Sequence, residues 1–232
     1  MERRAVNQRS LFTAIAAVFI FFCAFSIPAN AQQVVDKIVA TVNDGVKTEL
    51  ITLSDLRWQL ALEPGVPVAA PPSEDLNRAL QTLIDQRLFS LEANRVPSVE
   101  PTEKEIDDEI KETLSHFPST GDFETRLRAV GFESVKDDNF ELIMKQRVRI
   151  KKYLDFRFRS FIVITPEAEA KYYRDTYLPD FRRRYPGVVV PSLDEKRAQI
   201  NALLTEDKVG ANIEEFLDAA KRRSEIVVLS EV

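Results

Sequence analysis

What most constrains this chain is a pair of strand-like segments near its opposite ends, with helical patterns between them. The first lies within VVDKIVATVNDGVKTELITLSDL, Val34 to Leu56. Val34–Val42 is rich in valine and isoleucine and alternates imperfectly, as a half-buried strand can. Asn43-Asp44-Gly45 is turn chemistry, because Asp-Gly readily supplies positive φ. Ile51-Thr52-Leu53 reads as the returning strand, and Val46–Leu50 is left without an assigned role. A two-stranded hairpin is marginal on its own in water. The natural third member is Glu225-Ile226-Val227-Val228-Leu229. The expected fold is therefore mostly α, with a small antiparallel sheet formed by the N-terminal hairpin and a C-terminal strand. The sequence does not choose whether that strand joins Val34–Val42 or Ile51–Leu53.

Between the ends, apolar residues recur at helical spacing. Ser54-Asp55 offers an N-cap for a helix to about Leu62. Glu63–Pro72 holds four prolines and one glycine and reads as a loop. Ser73 is placed to cap a helix to about Asn94, with Leu76, Leu80, Leu83, Ile84, Leu88 and Leu91 on one stripe. Thr102-Glu103-Lys104-Glu105 is a capping box, opening a helix with Ile106, Ile110, Leu114 and Phe117 on one face. A short helix is expected over Phe123–Val130. Ser134 opens what reads as the longest helix, to about Phe161. It is apolar on more than one side, and such a helix is normally sandwiched between other elements. Thr165-Pro166-Glu167 begins another, with threonine as N-cap and proline in the first turn, running to about Arg184. A linker from Tyr185 to Pro191 leads to Ser192, which caps a last helix ending near Arg223.

The first 31 residues stand apart from this pattern. Arg3, Arg4 and Arg9 precede an apolar run from Leu11 to Ile27, and Ala29-Asn30-Ala31 is a small-x-small cleavage site. This is the three-part pattern of a secretory signal peptide. It predicts export. The alternative is an uncleaved anchor, although the run falls just short of the roughly 20 residues that span a bilayer. The only cysteine, Cys23, would leave with the leader, so disulfide and thiol chemistry are not expected. The formal net charge of −5 becomes more acidic when the three leader arginines and Glu2 are removed. An acidic exported chain is a poor candidate for nucleic acid. Six glycines serve the whole chain, which argues against glycine-rich phosphate loops.

Several stretches carry a family resemblance. VVDKIVATVNDG with ITLSDL, then LNRALQTLIDQRLFSLEANRVPSVEPTEKEIDDEI, then Phe161–Glu167, then SLDEKRAQINALLTEDKVGANIEEFLDAAKRRSEIVVL follow one another as in SurA-type periplasmic chaperones. The chain resembles that family over nearly its whole mature length. The resemblance implies a signal peptide at 1–31, an N-terminal helical domain at 32–166, and a helix and linker at 167–191. A C-terminal helix and strand at 192–232 would complete the core. It also implies an ATP-independent holdase for unfolded exported proteins, plausibly outer-membrane β-barrel precursors. In that family a parvulin-type prolyl isomerase domain is usually inserted before the C-terminal helix. Here residues 167–191 leave no room for one, and the residues its active site uses are missing. The expectation is a chaperone core without enzyme activity. The alternatives are an isomerase relative that lacks the catalytic domain, or a dedicated assembly partner.

The remaining candidates are weighed on their residue types. His116, the single histidine, precedes Phe117-Pro118 at a helix end. It reads as a surface group near a helix C-terminus, since no catalytic partner is adjacent. Glu103, Glu105, Asp107, Asp108, Glu109 and Glu112 have the spacing of a solvated helix face and lack the glycine of a calcium loop. No metal or other cofactor is expected. Trp58 reads as a core residue. Lys145, Arg147, Arg149, Lys151, Lys152, Arg157, Arg159 and Arg182–Arg184 form a basic region with two readings. They are either ion-pair partners for the acidic helix or charged flanks of a peptide-binding surface. On the second reading Phe140, Met144, Tyr153 and Phe156 are the candidate peptide contacts. The expected partners are unfolded or extended polypeptide clients, with no membrane span after cleavage and the oligomeric state left open.

Overall fold

The computed structural model describes residues 36–230, so the leader at 1–31 lies outside the described residues. The chain is mostly α-helical with a three-stranded antiparallel sheet in the order β2-β1-β3. Strand β1 (Ile38–Asn43) turns into β2 (Thr48–Thr52), and β3 (Glu225–Val228) pairs with the other edge of β1. The third strand therefore joins the first, the choice the sequence left open.

Local chemistry explains the hairpin. Asp44 Oδ1 accepts from the backbone N–H groups of Val46 and Lys47 at 2.9 and 2.8 Å, and Asp44 N donates to Lys47 O at 3.2 Å. Gly45 sits at φ +87°, a conformation that a side chain would strain. The stretch Val46–Leu50 has a structural role: Val46 and Lys47 finish the turn, and Thr48–Leu50 pair with Asn43–Thr41. The imperfect alternation of β1 also has a cause. The register with β2 shifts between Ile38 and Ala40, so Val39 is an extra residue and both Val39 and Ala40 face the core.

Eight helical stretches carry the rest of the described chain. Helix α1 (Leu53–Ala61) starts directly from β2. Its cap is Thr52, whose hydroxyl accepts from Asp55 N while the Asp55 carboxylate accepts from Thr52 N. That box displaces the expected Ser54 cap, because β2 ends at Thr52 and Leu53, expected in the strand, is the first helical residue. Next come α2 (Ser73–Ala93), α3 (Glu103–Ser115), α4 (Thr120–Ala129) and α5 (Asp138–Leu154). The capping box Thr102–Glu105 forms as expected. Helix α5 begins later than expected because Asp137, not Ser134, caps it. A π-helical turn, Asp155–Arg159, carries it onward. The arm follows: α6 (Pro166–Tyr172), a π-helical turn at Tyr173–Tyr177, and α7 (Leu178–Arg184). The longest helix is α8 (Leu193–Arg223, 31 residues), opened by a capping box between Ser192 and Glu195.

Three apolar clusters hold these elements. One joins the sheet to α1, α2 and the C-terminal part of α8, with Val42, Ile51, Leu56, Leu83 and Ala220 among its members. The second contains Phe89, Ile150, Tyr153, Phe158 and Val209. The third gathers Ile106, Phe123, Leu127, Phe132, Phe140 and Met144. Helix α5 contributes Phe140 and Met144 to the third and Ile150 and Tyr153 to the second. It is the sandwiched helix that its apolar breadth implied. Trp58 borders the third cluster, 5.1 Å from the Phe132 ring, and its indole N–H donates to Val130 O at 3.1 Å.

Candidate functional site: the cleft between the arm and helix α8

The four residues offered by the sequence as peptide contacts are not brought together. Phe140 and Met144 are fully buried, and Phe140 packs edge-on against Phe123 and Phe132 at 5.8 and 5.7 Å. Tyr153 is buried against Phe158 and Phe216. Burial also raises its phenol pKa. These three side chains present no surface to a ligand, so their place is in the core. Phe156 alone is exposed, at 45 %, edge-on to exposed Phe161 at 6.5 Å.

Much of the basic region is committed to carboxylates. Lys151 Nζ lies 2.8 Å from both Glu109 and Glu112, and Lys152 Nζ lies 2.9 Å from Glu105. Lys145 and Arg149 both engage Glu100, Arg147 reaches Glu109, and Arg159 pairs with Asp155 and Glu206. These pairs bind α5 and the turn after it to their neighbours, as the first of the two readings holds. Beside Lys152, and with the Thr102 N–H and hydroxyl as further donors, the Glu105 carboxyl is held down at about 2. His116 is the exposed C-cap of α3. Among the described residues, no group of histidine, cysteine, aspartate and glutamate is arranged to hold a metal ion. None of the described helices is long and apolar enough to cross a membrane.

A cleft of about 500 Å³ lies elsewhere, between the arm and the N-terminal part of α8. The arm supplies Tyr172, Tyr177, Asp180, Phe181, Arg184 and Tyr185. Helix α8 supplies Lys196, Gln199, Ile200 and Leu203. The arm carries an aromatic ladder at steps of four residues. Tyr173 stacks on Tyr177 at 5.5 Å, Tyr177 meets Phe181 at 5.8 Å, and Phe181 meets Tyr185 at 5.0 Å. Side chains four apart share a helix face, so the ladder follows from the spacing.

Two polar clamps fix the arm to α8. The Glu169 carboxylate, buried at the base of the arm, accepts from Arg197 Nη1 at 2.9 Å and Asn201 Nδ2 at 2.7 Å. At the linker, the Tyr173 hydroxyl donates to Pro191 O at 2.7 Å. The linker turns through Gly187 at φ +81°, and its Val188 and Val189 side chains are solvent-exposed, Val189 at 88 %. The sequence reading passed over this cleft, although the spacing of Tyr173, Tyr177, Phe181 and Tyr185 was a visible signal. The cleft offers stacked rings, an aliphatic wall and a few charges. That equipment suits reversible contact with apolar side chains of another molecule.

The fold thus defines a helical protein whose sheet is closed by segments from opposite ends of the described chain, with an aromatic cleft between the arm and α8. No protein-family model matches the chain, and no curated protein matches it either.

Proposed function

We propose that the chain is an ATP-independent holdase that binds unfolded or extended exported polypeptides, outer-membrane β-barrel precursors among them, through the arm cleft. The observation that carries this reading is the aromatic ladder across the cleft from half-exposed Leu203, followed in the chain by the exposed Val188 and Val189 of the linker. Contiguous exposed apolar surface rimmed by polar groups is the usual mark of an interaction site. Rings and aliphatic side chains accept many sequences, as a holdase requires. The resemblance to SurA-type chaperones and the leader pattern support the same class and a periplasmic location. The direct link from α7 through residues 185–191 to α8 supports binding over prolyl isomerisation. The dedicated-partner reading predicts one client in place of many.

Without nucleotide, equimolar protein should suppress the aggregation of a porin diluted from denaturant, followed by light scattering. The double variant Tyr177→Ala with Phe181→Ala should need about tenfold more protein for the same effect. This is the scale set by two aromatic contacts of about 0.5–1.5 kcal/mol each. Its circular dichroism should stay unchanged, because both rings line the cleft and not the core clusters. Absence of suppression at several-fold excess would sink the proposal. In the same preparations a proline tetrapeptide should isomerise at the blank rate.

A further inference from the structure

The charges lining the arm cleft are unequal in their commitments. Three ionisable side chains of opposite sign meet there: Asp180, Arg184 and Lys196. Asp180 is engaged by Arg183 Nη2 at 2.7 Å. Arg184 and Lys196 have no carboxylate within ion-pair distance among the described residues. Lys196 Nζ donates only to the neutral Gln199 Oε1, at 3.2 Å. Along α5, by contrast, Lys145, Arg147, Arg149, Lys151 and Lys152 all face carboxylates. Two cations without a carboxylate partner therefore stand on opposite walls of a cleft whose one carboxylate is already engaged.

We infer that the arm cleft selects extended polypeptide segments in which an aromatic side chain is flanked by carboxylates. The ring would stack on the ladder and on Leu203, while the flanking carboxylates meet Arg184 and Lys196. This rests on the holdase reading and adds a preference to it. Complementary charge sets the encounter rate and disfavours wrong partners, and like charges placed together are costly. Phosphate on a single-stranded nucleic acid would also meet cations beside rings. Such binding needs a positively charged groove that tracks the strand, and the cleft holds two cations, one on each wall, which favours the short peptide segment.

Three dye-labelled peptides of equal length test the inference by fluorescence anisotropy. Each carries one central Phe, flanked on both sides by Asp, by Ser or by Lys. The Asp peptide should bind at least about tenfold tighter than the Lys peptide at low salt. The gap should narrow as salt shortens the Debye length from about 10 Å at 0.1 M towards about 3 Å at 1 M. The double variant Arg184→Glu with Lys196→Glu should reverse the order. Lys208→Glu, an exposed change on α8 outside the cleft, should preserve it. Equal binding of all three peptides, with porin aggregation still suppressed, would overturn the charge preference and leave the holdase reading standing. Failure of every peptide together with failure of suppression would overturn both. A labelled single-stranded oligonucleotide that binds more tightly than the Asp peptide would also overturn the inference. A double variant that keeps the helical circular dichroism yet shows no reversal would do the same.

Discussion

At the scale of single residues, the sharpest dependence is on Glu169. Its buried carboxylate takes two donors from α8, so Glu169→Ala leaves Arg197 and Asn201 without their acceptor. Hydrogen bonds to a charged group contribute about 1.5–3 kcal/mol each. The loss should fall on the arm, as faster amide hydrogen exchange over residues 166–184, with Glu169→Gln intermediate. Exchange unchanged in the alanine variant would count against the clamp. Glu105 gives the second dependence. Its folded-state pKa of about 2 lies below the ordinary 4.5, so the group stabilises the fold above that ordinary value. That contribution is lost as pH falls from about 4.5 through about 2. Melting curves across this window should fall less steeply for Glu105→Gln than for the unaltered chain. The capping half of this site was legible in the sequence, because a box spans only four positions. The Lys152 half was legible only as one of two readings of the basic region, since nothing local says that α5 lies beside α3.

At the scale of elements, the sheet depends on a strand of four residues, β3. Leu229 N donates to Val39 O at 2.8 Å, and antiparallel ladders alternate, so Val227 turns its N–H towards Thr41 across the same register. Val227→Pro deletes that donor and should lower the melting temperature, by an amount matching about 1–3 kcal/mol. Val227→Thr, which keeps the N–H and the β-branched shape, should be nearly neutral; equal melting of the proline variant would contradict the pairing. The existence of β3 was readable from Ile226-Val227-Val228, and its partner was not, because pairing is a long-range choice. The same division holds for helices. The caps at Thr102, Thr165 and Ser192 are local and appear where the sequence puts them. Helix α1 is capped two residues early, at Thr52, because the strand before it ends there and Leu53, expected in the strand, opens the helix. The π-helical turns at Asp155–Arg159 and Tyr173–Tyr177 have no composition of their own and were invisible.

At the scale of the whole described chain, α8 is the common member. Ala220 joins the sheet cluster, Val209 joins the cluster beside α5, and Ile200 lies in the wall of the arm cleft. At about 1.5 Å per residue a helix of 31 residues spans about 46 Å, enough to serve all three places. The amphipathic pattern of this segment showed that it was a helix; what it joins required the fold. The cleft escaped the sequence for a related reason. A row of rings on one helix face reads equally as core or as surface until the helix opposite it is known. The sheet order β2-β1-β3 has a consequence in time. As the chain is made from its N-terminus, β1 and β2 can close their hairpin at once, while the far edge of β1 stays bare until residues 225–228 have been synthesised. Contacts so distant in sequence form late, and an open strand edge invites aggregation while it waits. A protein proposed to shelter unpaired strands of other chains therefore passes through its own synthesis as a client.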